Sequence, residues 1–225
     1  MLAFAAINIF AVSCSDDDEA RAILGSQTQT AEVLIVHASP DAPGVDIFVD
    51  NQGPAVSNLT FPANTGYVAL DAGTRNVKVN VTNTSTTVID ANVKLDPNAA
   101  YTVFAVNSVA NIEPLVLVDD LSSPAAGKAH VRFVHLSPDA PAVDVGLAGN
   151  GAVVFGNVSF KGFDGFTPLD AGTYDLEVRL AGTATAVLPL PGIMLESGKI
   201  YTVFAKGFVS GSGAQALGAE IIVNK

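Results

Sequence analysis

Few side chains here have types and spacing that suit chemistry, and those that do occur twice. His37, Ser39, Asp41 and Asp46 fall within ten residues of one another, and His135, Ser137, Asp139 and Asp144 repeat the set at the same spacing. An imidazole with two carboxylates could hold a cation or a small polar ligand. The alternative is architectural: His37 is buried in a strand and hydrogen-bonded to Asp46 or to turn backbone, while Asp41 caps the turn. A β core that admits a histidine must satisfy its ring nitrogens, and the architectural role is the expected one. A Ser/His/Asp hydrolase is disfavoured, because residues two apart on a strand make a poor nucleophile–base pair and no oxyanion-type glycine motif accompanies them. No nucleophile elbow, phosphate-cradling loop, Cys/His metal cluster or EF-hand loop occurs elsewhere. Hence no catalytic residue, metal or cofactor is expected.

The elements that position these residues also occur twice. Val33–Val49 reads as strand, turn, strand, and Val131–Leu147 writes it again. Val33, Ile35 and His37 share one face of a period-two pattern, and Leu34, Val36 and Ala38 share the other. Both faces are apolar, so the strand is sandwiched on two sides. Ser39-Pro-Asp-Ala-Pro43 cannot continue it, because proline fixes φ and removes a ladder donor. Further strands are expected at 55–59, 65–70, 75–81, 86–95, 101–106 and 112–118. Leu70-Asp-Ala-Gly-Thr74, repeated as Leu169-Asp-Ala-Gly-Thr173, reads as a tight hairpin turn in which glycine supplies positive φ. Tyr101 and Tyr201 each enter a late strand after a turn, as in a tyrosine corner, which predicts hydroxyls bonded to backbone just upstream. The offset between copies grows from 98 (His37 to His135) to 99 (Asp71 to Asp170) to 100 (Tyr101 to Tyr201), consistent with single-residue insertions in turns.

The fold expected is all-β, with two tandem immunoglobulin-like antiparallel β-sandwich domains. They span residues 31–120 and 129–225, joined by a Ser/Pro/Gly linker at 121–128 that allows some swivel. The absence of Trp argues against a true antibody domain. A glycine- and serine-rich loop at 207–218 is peculiar to the second copy. A formal net charge of −11 disfavours nucleic acid and electrostatic adsorption to anionic lipid. Four Asn-x-Ser/Thr tripeptides, starting at Asn58, Asn80, Asn83 and Asn157, read as chance composition.

The N-terminus reads as an address. Residues 2–12 are apolar apart from Asn8 and lead into Ser13 and Cys14, giving the stretch Ala11-Val-Ser-Cys14. About eleven apolar residues are too few to span a bilayer but suit a signal peptide at 1–13. Small residues before a cysteine resemble a bacterial lipobox, in which Cys14 would be lipidated and would tie the protein to a membrane. No Lys or Arg precedes the run, a departure from that pattern. Ser15-Asp-Asp-Asp-Glu19 resembles a surface-export signal and opens an acidic, flexible tether at 14–30. The expected location is the outer face of the outer membrane, with the periplasmic face as the alternative. Cys14 is the only cysteine, so no intrachain disulfide can form.

The repeated His-x-Ser-Pro-Asp-Ala-Pro-x-Val-Asp, followed by Leu-Asp-Ala-Gly-Thr and Tyr-Thr-Val-Phe-Ala, resembles the bacterial family of domains of unknown function numbered 4397, over residues 31–225. The resemblance implies secreted or surface-anchored proteins, often with tandem copies, and carries no catalytic residues across. The expected function is non-enzymatic binding or adhesion to glycan or protein, with a structural envelope spacer as the rival and a hydrolase third.

Overall fold

The computed structural model describes residues 28–225; the expected signal segment, Cys14 and most of the acidic tether lie outside the described residues. Eight strands build the first module: β1 (Thr30–His37), β2 (Val45–Val49), β3 (Gln52–Leu59), β4 (Asn64–Asp71), β5 (Gly73–Val81), β6 (Thr87–Leu95), β7 (Ala100–Val106) and β8 (Glu113–Asp119). The second module repeats them as β9 (Lys128–His135), β10 (Val143–Leu147), β11 (Val153–Val158), β12 (Thr167–Asp170), β13 (Gly172–Leu180), β14 (Ala186–Leu195), β15 (Ile200–Lys206) and β16 (Gly218–Val223). Each module is a β-sandwich of two four-stranded sheets. The inner sheets run β4-β1-β7-β8 and β12-β9-β15-β16, the outer ones β3-β2-β5-β6 and β11-β10-β13-β14. Pairing is antiparallel except for β1 with β7 and β9 with β15, which are parallel.

The Leu-Asp-Ala-Gly-Thr segment is not a hairpin. Asp71 ends β4 in the inner sheet and Gly73 begins β5 in the outer one, so the chain turns a corner between sheets. Gly73 sits at φ +111°, where a side chain would be strained, and Ala72 N–H donates to Gln29 O at 2.7 Å to hold the corner. The hairpin expectation failed because positive φ serves an inter-sheet corner as well as a two-strand turn.

Within each module the sandwich closes on apolar side chains. In the first, Val33, Ile35, Ile47, Val79, Ile89 and Val103 form the core. In the second, Phe133 stacks on Phe155 at 6.2 Å among Val131, Val145, Val178 and Val203. The other face of β1, also apolar, packs against the second module. Leu34, Val36, Phe104, Val106 and Leu117 meet Val134, Leu136, Phe204 and Ile222 in a third core, with Phe104 and Phe204 edge to face at 5.7 Å. The molecule is therefore four sheets deep. The modules are not separately closed bodies on a swivelling linker: residues 120–127 join two sandwiches whose inner sheets bury each other. A strand apolar on both faces needs two cores, and the second is supplied by the neighbouring repeat.

That third core encloses a polar lock. Arg132 Nη1 lies 2.7 Å from Asp119 Oδ1, with both side chains essentially inaccessible. Arg132 also donates from Nε to Thr202 Oγ1 and from Nη2 to Thr102 Oγ1, each at 2.8 Å. Asp119 Oδ2 accepts from Thr102 Oγ1 at 2.7 Å and from Tyr67 Oη at 2.5 Å. Asn224 closes the circuit, donating from Nδ2 to Tyr67 Oη at 2.9 Å and accepting from Thr202 Oγ1 at 2.7 Å. The guanidinium lies 4.6 Å from the Phe166 ring centroid. Burial, then the Asp119 carboxylate, pushes the Tyr67 hydroxyl well above its usual range.

Both modules point the same way. Glu113 beside the first turn meets Lys161 beside the second at 2.9 Å, and Phe61 next to His37 receives Lys206 Nζ at 5.4 Å from its ring centre. At the opposite end, where β1 begins, Lys225 Nζ donates to Leu121 O at 2.8 Å. One end thus carries both Ser-Pro-Asp-Ala-Pro turns. The other carries the start of the described chain and the linker, about 25 Å away by the length of an eight-residue strand.

Candidate functional site

The histidine sets at the turns are built into the fold. His37 and His135 end β1 and β9, are fully buried, and place Nε2 3.0 Å from the carbonyls of Pro43 and Pro141. A carbonyl can only accept, so Nε2 carries the proton, and Nδ1 has no hydrogen-bond partner. Neither imidazole bonds to Asp46 or Asp144. Asp46 instead accepts from Asn58 N–H (2.8 Å), Thr82 Oγ1 (3.1 Å) and Asn83 N–H (3.1 Å). Asp144 accepts from Asn157 N–H at 2.6 Å and Gly182 N–H at 2.8 Å. These backbone donors hold both carboxyls below the usual range, so they act as anionic clasps between strand ends.

Asp41 and Asp139 reach across to another loop rather than capping their own turn. Asp41 Oδ1 accepts from Val109 N–H at 2.7 Å, and Asp139 Oδ1 from Val209 N–H at 2.8 Å. Each fastens the loop after β7 or β15, whose valine is exposed. In the second copy that loop includes the glycine-rich stretch, and Gly207 (φ +79°) runs so close to Ala216 O that a Cβ would stand 2.2 Å from it. Ser39 and Ser137 are buried; Ser39 Oγ has no partner, and Ser137 Oγ lies 3.5 Å from Asp139 Oδ1. No serine–histidine hydrogen bond exists at either turn. The space beside His135 is an apolar cavity of about 80 Å³ lined by Pro141, Val143, Val178, Leu188 and Val209. Among the described residues no group of three or more His, Cys, Asp or Glu side chains is placed to hold a metal ion.

Tyr101 Oη accepts from Asp96 N–H and Tyr201 Oη from Glu196 N–H, both at 3.0 Å, five residues upstream. Each hydroxyl thereby fixes the crossing into β7 or β15.

Burial lowers the pKa of both histidines below the ordinary value of 6.5, against the raising effect of the proline carbonyls. As pH falls below about 6.5 the unfolded chain binds two protons that the folded chain refuses. Stability is complete above that value and declines below it until the folded-state pKa is reached. The slope is at most about 1.4 kcal/mol per pH unit for each histidine. Urea midpoints between pH 8 and pH 5 should fall for the wild type, and His37→Gln should reduce the slope by about half. Identical profiles for the two proteins would remove His37 from the account.

Two features escape a reading of motifs. One is the Arg132–Asp119 lock, whose signal is an arginine on a strand face that is apolar in the first copy, where Leu34 stands. The other is a regular polar array on the outer face of the first module. Register aligns Asp46, Asn80 and Thr87 in one row, and Phe48, Lys78 and Asp90 in the next. Asn76 and Asn92 form a third row with Asp50 beside them. Asn76 Nδ2 donates to Asp90 Oδ1 at 2.8 Å and to Asn92 Oδ1 at 3.3 Å. Thr87 Oγ1 donates to Asn80 Oδ1 and Lys78 Nζ to Asn51 Oδ1, both at 2.8 Å.

Fold and side-chain geometry together define a tandem β-sandwich protein whose repeated polar residues brace its turns. The chain belongs to the family described as Domain of unknown function (DUF4397), whose model matches residues 31–146 and again 147–223. The boundary between those matches falls inside β10, whereas the structural junction lies at 120–127. No curated protein matches the chain. Among solved structures it is similar to CBMbc, a family CBM26 protein from Eubacterium rectale Amy13K in complex with maltoheptaose. Identity there is 12%, covering 85% of this chain and 96% of that chain, with a TM-score of 0.30.

Proposed function

We propose that this protein is a lipid-anchored, surface-displayed binding module, non-enzymatic and directed at glycan or protein. The observation that carries the reading is the polarity of the molecule. Two sandwiches locked by a buried core form one stiff body whose described chain starts at one end, while both fastened loops sit at the other. A body tethered through Cys14 at its near end would hold its sheets and far loops away from a membrane. Stiffness favours binding, because surfaces ordered before contact lose little entropy on engagement. A spacer that only separates other proteins from the membrane is the second reading, and the same stiffness favours it.

Two measurements test the proposal. Intact cells treated with protease should lose the protein, and Cys14→Ala should release it from the membrane fraction; full protection would sink surface display. Purified full-length mature protein should give reproducible specific binding on glycan or whole-cell panels. Absence of all binding would leave the spacer reading.

A further inference from the structure

We propose that the outer face of the first sandwich, centred on Phe48 and Asn76, is a platform for a neutral, hydroxyl-rich glycan chain; this rests on the reading of the protein as a binding module. The argument begins with an internal comparison. The two modules share core, turns and corners, so a difference confined to one outer face is not demanded by the fold.

In the first module that face is open and regularly filled. Phe48, half-buried, presents an aromatic ring in the middle row, and amides flank it along β5 and β6. In the second module the equivalent of Phe48 is Gly146. Glu177 faces Pro189 and Arg179 faces Ala186 where the first module pairs Lys78 with Asp90 and Asn80 with Thr87. Arg179 is itself consumed: it is 2% exposed and donates to Leu147 O and Gly151 O beneath the 148–152 loop. One copy has closed its face with a loop, and the other has kept an array.

The chemistry of the array selects the ligand. Its charges are already engaged: Asp50 pairs with Arg75 at 2.9 Å, Lys78 lies 3.7 Å from Asp90, and the Asp46 carboxylate, though without a cation, is occupied by the neutral donors of Asn58, Asn83 and Thr82. Little field remains to hold an ion, and the groups left facing outward are planar amides with free donors and acceptors. Such groups match vicinal hydroxyls, while a flat ring packs on the C–H face of a sugar. A protein partner would require an apolar centre, and one half-buried ring among polar neighbours does not make one. The mutual hydrogen bonds of Asn76, Asp90 and Asn92 hold the array in place before any ligand arrives.

The test uses the full-length mature protein on an array of immobilised neutral linear hexasaccharides of glucose, mannose, galactose and xylose. Binding to at least one of them is expected. Phe48→Ala and Asn76→Ala should each weaken it tenfold or more, Phe48→Tyr should retain it, and Asp175→Ala on the second module's face should leave it within twofold. Thermal midpoints within 2 °C of the wild type would show that the variants are folded; for a variant outside that range, Lys78→Ala replaces it and the same tenfold loss is required. Hexasaccharide binding that survives both Phe48→Ala and Asn76→Ala, or specific capture of a protein with none of a hexasaccharide, overturns the inference and leaves the binding module standing. Binding to nothing on the array and to nothing on cells overturns both.

Discussion

Arg132→Leu should lower the stability of the whole chain by about 3–5 kcal/mol, the cost expected when a buried ion pair loses one partner. The substitution removes the cation 2.7 Å from Asp119 and leaves a dehydrated carboxylate with only Tyr67 and Thr102 as donors. It also strips Thr202 of a donor within the second module and Thr102 of the guanidinium donor that reaches across from the second module to the first. The remedy can be read from the repeat. Leu34 occupies the position in the first copy that Arg132 holds in the second, and Asn224 stands where the first copy has Asp119. Arg132→Leu combined with Asp119→Asn therefore installs a neutral pair that this architecture already tolerates across its own pseudo-symmetry. The double variant should recover most of the loss, because the penalty belongs to the unpaired charge rather than to the absent bond. Urea denaturation of the wild type, both single variants and the double variant gives the coupling energy directly. A single variant within about 1 kcal/mol of wild type, the scale of an ordinary surface pair, would mean that the lock is not sealed from water.

The second large effect lies a few residues away and is apolar. Phe204→Ala should cost about 3–5 kcal/mol, as expected for deleting a fully buried aromatic side chain. What distinguishes it from any core truncation is where the loss appears. Phe204 packs on Phe104 in the core shared by the modules, not in either sandwich interior. Calorimetry of the wild type should show one cooperative transition, and the variant should show two, because the coupling between modules is weakened while each keeps its own core. Ile47→Ala, inside the first sandwich, provides the contrast: it should destabilise without resolving the second transition. One unchanged transition in Phe204→Ala would argue that the sandwiches unfold together for another reason.

Much of the fold was legible in the residues. The period-two pattern and the turn chemistry placed the strands to within a few residues, since side-chain alternation and proline exclusion are local properties. Leu34, Val36 and Ala38 even announced a second buried face, though not what would cover it. The Leu-Asp-Ala-Gly-Thr corner was misjudged as a hairpin because glycine at positive φ reports a local bend and not which sheet the next strand joins. At the turns the residues named the participants but not their bonds. Asp41 finds Val109 68 positions later, and His37 turns to Pro43 rather than to Asp46. Those choices depend on which strand ends lie side by side.

By itself the sequence determined a doubled β-sandwich with histidines at its strand ends, because periodicity, turn residues and repetition are written in neighbouring positions. Only the tertiary structure decided that the two sandwiches share a core, that Arg132 answers Asp119, and that one outer face is open while its counterpart is covered. Those facts arise from surfaces that meet only on folding: Phe104 packs on Phe204, and Arg132 reaches Asp119 because two sheets lie face to face, so a difference between the copies acquires meaning only once the faces have met.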